Sequence, residues 1–150
     1  MGADPERLAE DFGKAIEAYE RKLVKGETPF DRFLSTEVGS LEPEVLRGAA
    51  VFVGAGQCAR CHLGPLLTDQ QLHDFGSGGV RTPPLRTAAP TPPYGHLGEW
   101  PTLGVAITAH AATPLTPQEL TELEAFLRVI GDGVRPPLPW VCLLYTSRCV

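Results

Sequence analysis

The 150-residue sequence is short of several things, and each shortage removes a class of explanation. Met1 is the only methionine, which leaves no internal thioether to ligate a metal. Basic side chains are outnumbered, 13 against 18 acidic, and the formal charge of −5 does not fit a nucleic-acid footprint. No apolar run approaches the roughly 18–20 residues of a membrane-spanning helix. No secretory leader is visible: Met1 is followed by Gly-Ala-Asp-Pro-Glu-Arg, without a basic start or an apolar stretch. That pattern fits a cytoplasmic protein or a chain whose true beginning is missing. Cysteine is confined to one tight pair, Cys58 and Cys61, and one loose pair, Cys142 and Cys149. Apolar residues still make up 43%, enough for a core, so wholesale disorder is excluded.

Glycine and proline are abundant, 16 and 15 residues, and unevenly placed. Residues 63–101 hold seven prolines and six glycines, one third of that stretch. On composition alone this reads as low-complexity chain. It can be ordered if something other than its own apolar side chains supplies the core. Elsewhere, Leu8, Phe12, Ala15, Ile16, Tyr19 and Leu23 recur at helical spacing and predict a helix over Pro5–Leu23, stopped by Gly26. Thr28-Pro29-Phe30-Asp31 reads as a loop. A second helix is expected to run to Val53, capped by Ser40, with Pro43 in its first turn and Leu41, Val45, Ala49 and Phe52 on one face. A short helix from Thr102 to Ala111 follows the Pro/Gly stretch. Thr116, Pro117 and Glu119 form a capping-box signature for the last helix, with Leu120, Leu123, Phe126, Leu127 and Ile130 as its stripe and Gly131 as its stop. No strand and no internal repeat is expected.

Cys58-Ala59-Arg60-Cys61-His62 is a C-x-x-C-H sequence, the attachment pattern of c-type haem. Two thiols three positions apart can add to the two vinyl groups of one porphyrin, and the next residue sets an imidazole under the iron. A redox dithiol would need a thioredoxin-like βαβ setting, which this chain lacks. A zinc knuckle would need a second pair nearby, and Cys142 lies too far downstream. Covalently held haem also answers the composition: a large apolar plate gives a Pro/Gly-rich segment something to wrap.

Further residues extend the pattern. They are Phe12-Gly13-Lys14-Ala15-Ile16 through Tyr19-Glu20-Arg21, then Pro29-Phe30-Asp31-Arg32. After the haem box come Gly64-Pro65, Thr68-Asp69, His73, and Arg81-Thr82-Pro83-Pro84-Leu85-Arg86. Pro93-Tyr94-Gly95-His96, Gly98, Thr102-Leu103 and Ala125-Phe126-Leu127 complete the series. In these the sequence resembles the bacterial dihaem cytochrome c peroxidases and their relatives that mature a tryptophan-derived quinone cofactor. The match is to their C-terminal haem domain, over roughly residues 10–139.

The resemblance implies an all-α, cytochrome c-like haem domain with long Pro/Gly-rich loops. Family members carry a peroxide-reacting haem in an N-terminal domain, and the C-terminal haem passes electrons to it. Only one haem box exists here, so the resemblance implies a chain lacking the peroxidatic half and inactive alone. Residues 1–39 would be the helix and loop leading from that missing domain, 40–141 the haem domain, and 142–150 a non-native scar. Cys142-Leu143-Leu144-Tyr145-Thr146-Ser147 resembles a translated sequencing-adapter end; the alternative is a genuine tail with a Cys142–Cys149 disulfide.

The second axial ligand follows from the same resemblance. Peroxidases of the family use methionine at this haem, and the quinone-maturing relatives use tyrosine. Aligning Thr102-Leu103 with the family's Thr-Leu pair puts His110 at that position, implying His62/His110 ligation. A helix-end histidine is the plainer reading of His110, and His96 is the next candidate. Bis-imidazole iron is six-coordinate and low-spin, and its potential lies below that of a His/Met pair. His96 falls in the family's Pro-Tyr-x-His motif as a second-sphere residue, with Leu97 where aspartate is usual, and His73 is expected near the haem edge. Arg81 and Arg86 are candidate partners of the haem propionates, set against a solvated pair on a loop. Thr91 and Pro93 match positions whose carbonyls help hold an interdomain Ca²⁺ in full-length relatives. Tyr94 and Trp100 are expected near the haem as core residues rather than relays.

One haem c, a small soluble electron donor of cytochrome c or cupredoxin type, a periplasmic location and a homodimer of the full-length protein are the remaining implications. Two alternatives stay open: a fragment of a quinone-maturing dihaem enzyme, and a free-standing monohaem electron carrier.

Overall fold

The computed structural model describes residues 4–21, 27–35, 39, 41–74 and 78–131. The expected stop at Gly26, the Ser40 cap and the tail from Cys142 to Val150 lie outside the described residues. Helix α1 belongs to one compact unit, and the described residues from Glu27 onward belong to another.

Helix α1 spans Pro5–Glu20, capped by the Asp4 carboxylate, which accepts the Glu6 N–H at 3.1 Å. Lys14–Glu10 and Arg21–Glu17 ion pairs one turn apart, each 2.5 Å, brace its polar side. Its stripe of Leu8, Phe12, Ile16 and Tyr19 is solvent-accessible, and no residue of the helix is buried.

Thr28 to Asp31 is not a loop but the start of helix α2, Pro29–Leu34. The Thr28 hydroxyl accepts the Asp31 N–H at 3.1 Å while the Asp31 carboxylate accepts the Thr28 N–H at 2.9 Å. This reciprocal box holds six residues in a helix too short to show a hydrophobic period.

Helix α3 (Pro43–Val53) buries Val45, Gly48, Val51 and Phe52. Its cap position is Glu42, which makes no side-chain capping bond. Helix α4 (Leu103–His110) is capped by Thr102, and helix α5 (Pro117–Val129) carries the full Thr116/Glu119 capping box. Helices α3 and α5 pack closely because Gly48 has no side chain. A Cβ there would stand 1.9 Å from the Glu122 carbonyl oxygen. Phe126 fills the space beside this crossing, edge-on to Phe30 at 5.4 Å and to Phe52 at 5.3 Å between ring centres. Leu103 and Ile107 of α4 join Leu123, Phe126, Leu127 and Ile130 in the same core. Each such side chain contributes about 1.5–3 kcal/mol on burial. Above it, Arg47 donates to buried Glu122 at 2.5 Å, and this bond holds the Glu122 carboxyl below its ordinary range.

The all-α expectation needs amendment. Strands β1 (Leu72–Asp74) and β2 (Gly79–Arg81) form an antiparallel pair with Leu72 opposite Arg81, His73 opposite Val80 and Asp74 opposite Gly79. Tyr94 and Trp100 form a separate antiparallel bridge. Three-residue strands leave no alternation to read, and the prolines of this stretch all lie outside them. Otherwise the described part of 63–101 is turns and irregular chain, with one 3-10 turn, Leu85–Thr87, inside it and another, Cys58–Arg60, just before it.

Candidate haem-binding site

The chain leaves α3 through a compact turn in which the Gly54 N–H bonds Ala50 O and the Gly56 N–H bonds Val51 O, both at 2.8 Å. It then enters the 3-10 turn Cys58–Arg60. Cys61 N–H and His62 N–H both donate to the Cys58 carbonyl, at 3.3 and 2.9 Å, so one turn carries all three residues of the box. Both thiols are free and half-buried. Burial pushes the Cys58 thiol up in pKa, the expected setting of a thiol shielded from water.

His62 is fixed from the far side. Its Nδ1 lies 3.1 Å from the Leu67 carbonyl. A carbonyl can only accept, so Nδ1 carries the proton and Nε2 keeps its lone pair. Burial lowers the pKa of this ring; the Leu67 carbonyl opposes that, and the nearby His110 adds to it. His110, the last residue of α4, repeats the arrangement: its Nδ1 lies 2.5 Å from the Ala106 carbonyl one turn back. The two imidazoles stand 6.5 Å apart between ring centres, with their planes 68° apart. Imidazoles bound to opposite faces of one metal sit about 6.2 Å apart between centres, from metal–nitrogen bonds of about 2.0 Å plus about 1.1 Å within each ring. The spacing, with the two thiols carried on the turn that ends at His62, fits a covalently attached haem between the histidines.

No protein-family model matches the chain. Individual relatives do. Cytochrome c551 peroxidase of Pseudomonas aeruginosa is 30% identical over 164 aligned positions, covering 89% of this chain and 47% of that protein. Cytochrome-c peroxidase IdrP1 of Denitromonas iodatirespirans is 39% identical over 78 residues, 51% of this chain and 20% of the relative. The methylamine utilization protein MauG of Methylorubrum extorquens is 39% identical over 62 residues, 41% of this chain and 18% of the relative. These similarities support a relationship of the chain to the dihaem cytochrome c peroxidases, MauG relatives included. It spans about half the length of the Pseudomonas relative, and less of the others. The fold agrees: a crystal structure of a MauG-like protein associated with microbial copper homeostasis superposes with a TM-score of 0.64 at 24% identity, covering 77% of this chain and 55% of that one. For a dihaem peroxidase relative, c-type haem is the implied cofactor.

The other expected site residues divide. Arg86 is already committed within the protein: it donates to Asp31 at 2.6 Å and to the Pro65 carbonyl at 3.0 Å, and lies over the Phe30 ring at 5.6 Å. Burial raises the Asp31 carboxyl, but bonds from Thr28 and Arg86 outweigh it and hold the group below its ordinary value. Arg86 thus pins the loop to α2. Arg81, on β2, is exposed and donates to the Gln70 carbonyl. Thr91 and Pro93 lie exposed, with the Thr91 hydroxyl donating to Ala88 O at 2.8 Å. His96 is exposed in the same loop.

His73 pairs with Asp69 at 2.8 Å, and Cys61, Asp69 and His73 bring their ligand atoms within 4.8 Å of one another. Chiefly the Gln71 N–H draws the Asp69 carboxyl down to about 2. With one oxygen on Gln71 and the other on His73, that carboxylate orders the turn beside the thiol. The Tyr94 hydroxyl donates to Ala89 O at 2.6 Å, a packing role. Sequence reasoning missed the Leu67 and Ala106 carbonyls, because main-chain acceptors carry no residue signature. It also missed the Asp31–Arg86 pair, although both residues stood in the matched motifs.

Proposed function

We propose that this chain is the C-terminal, electron-transferring haem c domain of a two-haem peroxidase-like protein. It would take electrons from a small soluble donor and relay them to a peroxide-reducing haem on a preceding domain. Cys58 and Cys61 would form the thioethers, and His62 and His110 would fill the two axial positions. The observation that carries this reading is the pair of Nδ1-anchored imidazoles 6.5 Å apart over the Cys58–Cys61 turn. Bound there, haem supplies a one-electron ferric/ferrous couple. The chain's residues do the rest: they hold the porphyrin covalently, keep both imidazoles neutral toward the iron, and leave no exchangeable position for peroxide. Arg81, exposed at the edge of β2, is the better of the two arginines for a propionate, since Arg86 is engaged with Asp31. Thr91 and Pro93 would offer carbonyls to Ca²⁺ once the preceding domain completes the site. A periplasmic setting, where haem c is attached, and a homodimer of the full-length protein complete the proposal.

The test is the haem-loaded chain and its optical spectrum. A six-coordinate, low-spin ferric spectrum is expected, with no peroxide turnover. His110→Ala should open the sixth position and give high-spin iron, while His96→Ala should leave the spectrum as it is. A methionine–iron charge-transfer band, or peroxidase activity of the chain alone, refutes the proposal.

A further inference from the structure

We infer that Trp100 is a positioning residue that fixes the plane of the His110 imidazole, an inference that rests on the His62/His110 reading above. The indole and imidazole centres are 5.7 Å apart and the rings are only 9° from parallel, an offset stack. Helical side chains lean toward the N-terminus of their helix. His110, at the end of α4, therefore reaches back toward the segment that enters that helix, where Trp100 stands two residues before the Thr102 cap. The main chain of Trp100 is itself held. Tyr94 and Trp100 exchange two hydrogen bonds, 2.7 and 3.0 Å, and the loop between them turns through Gly95 and Gly98 at φ 90° and 71°. The Tyr94 hydroxyl ties this loop to Ala89. The indole is thus presented from a closed loop, not from a free arm.

Two restraints then act on the His110 ring, and they do different things. The bond from Nδ1 to Ala106 O decides which nitrogen faces outward, but the ring can still swing about it. A flat indole against one imidazole face removes that swing. What becomes fixed is the 68° angle to the His62 ring. In low-spin ferric haem with two axial imidazoles, the angle between ligand planes sets the splitting of the iron d orbitals. Planes far from parallel leave two orbitals nearly degenerate and give one dominant, large g value. Near-parallel planes separate them and give a rhombic spectrum.

Low-temperature electron paramagnetic resonance of the haem-loaded full chain tests this with wild type, Trp100→Phe, Trp100→Leu and His110→Ala. Wild type should show the dominant large-g signal. Trp100→Phe should retain it, because a flat ring still covers the imidazole. Trp100→Leu should stay low-spin while its leading g value falls toward a rhombic pattern. Identical spectra for wild type and Trp100→Leu would overturn the inference. So would equal loss in the Phe and Leu variants, which would make Trp100 a packing residue only. The underlying reading fails separately: His110→Ala keeping the wild-type low-spin spectrum removes His110 from the iron, whatever the Trp100 variants do.

Discussion

Helices α3 and α5 hold each other through buried side chains, whereas residues 63–101 hold themselves mostly through main-chain and side-chain hydrogen bonds. The helical part supplies nearly the whole apolar core, from Val45 to Ile130. Of the described residues in 63–101, only Thr82 and Ala89 are buried. Its order comes instead from bonds such as Asp69 N–H to Cys61 O at 2.8 Å, the Thr68 hydroxyl to Thr82 O at 2.7 Å, and Arg86 to Asp31. A segment built this way has little apolar burial with which to oppose its chain entropy. The helices can stand on their own packing; the loop depends on what it covers. Under the proposed function, that is the porphyrin.

The sharpest way to break this contrast is to remove the haem. Cys58→Ala with Cys61→Ala should abolish covalent attachment, seen as loss of haem staining on a denaturing gel. Amide hydrogen exchange should then rise by more than about tenfold across 63–101 while the core of α3 and α5 keeps most of its protection. Uniform loss of protection in both regions would show that they are one cooperative unit.

Gly48→Ala attacks the other side. The added methyl would meet the Glu122 carbonyl and force α3 away from α5, at a cost of about 3 kcal/mol. Chemical denaturation should show this loss in the haem-loaded and haem-free chain alike, because the contact belongs to the helices alone.

The smallest effect lies where the two regions are stitched. Arg86→Ala should cost about 2 kcal/mol at neutral pH, from a charge-assisted bond lost at a partly buried site. Asp31 is held below its ordinary pKa of 3.8, so its contribution is complete above that value and is lost as pH falls through the lower folded value. The gap between wild type and Arg86→Ala in urea should therefore hold from pH 7 down to about pH 4 and narrow as the pH falls further.

Much of this was legible in the residues. The capping box at Thr116 and Glu119 and the stripe of α5 appear where spacing put them, and the short helix expected over Thr102–Ala111 is found as Leu103–His110. What escaped has a common physical cause. Helix α2 is a single capped turn and a half, β1 and β2 have three residues each, and none is long enough for a period. The site shows the same division. Cys58, Cys61 and His62 announce themselves by side-chain chemistry at fixed spacing. The carbonyls of Leu67 and Ala106 do not, and Trp100 meets His110 only because a loop closed by two main-chain bonds carries it there.

The anchoring of both imidazoles by backbone carbonyls has an evolutionary consequence. Many metal-bound histidines are oriented by a carboxylate side chain, which one codon change can delete. Here the orienting atoms belong to the main chain at Leu67 and Ala106, and every amino acid carries that atom. Drift in the surrounding sequence can therefore proceed without erasing either proton's address. Disabling one takes a change in the path of the backbone, not a change of letter.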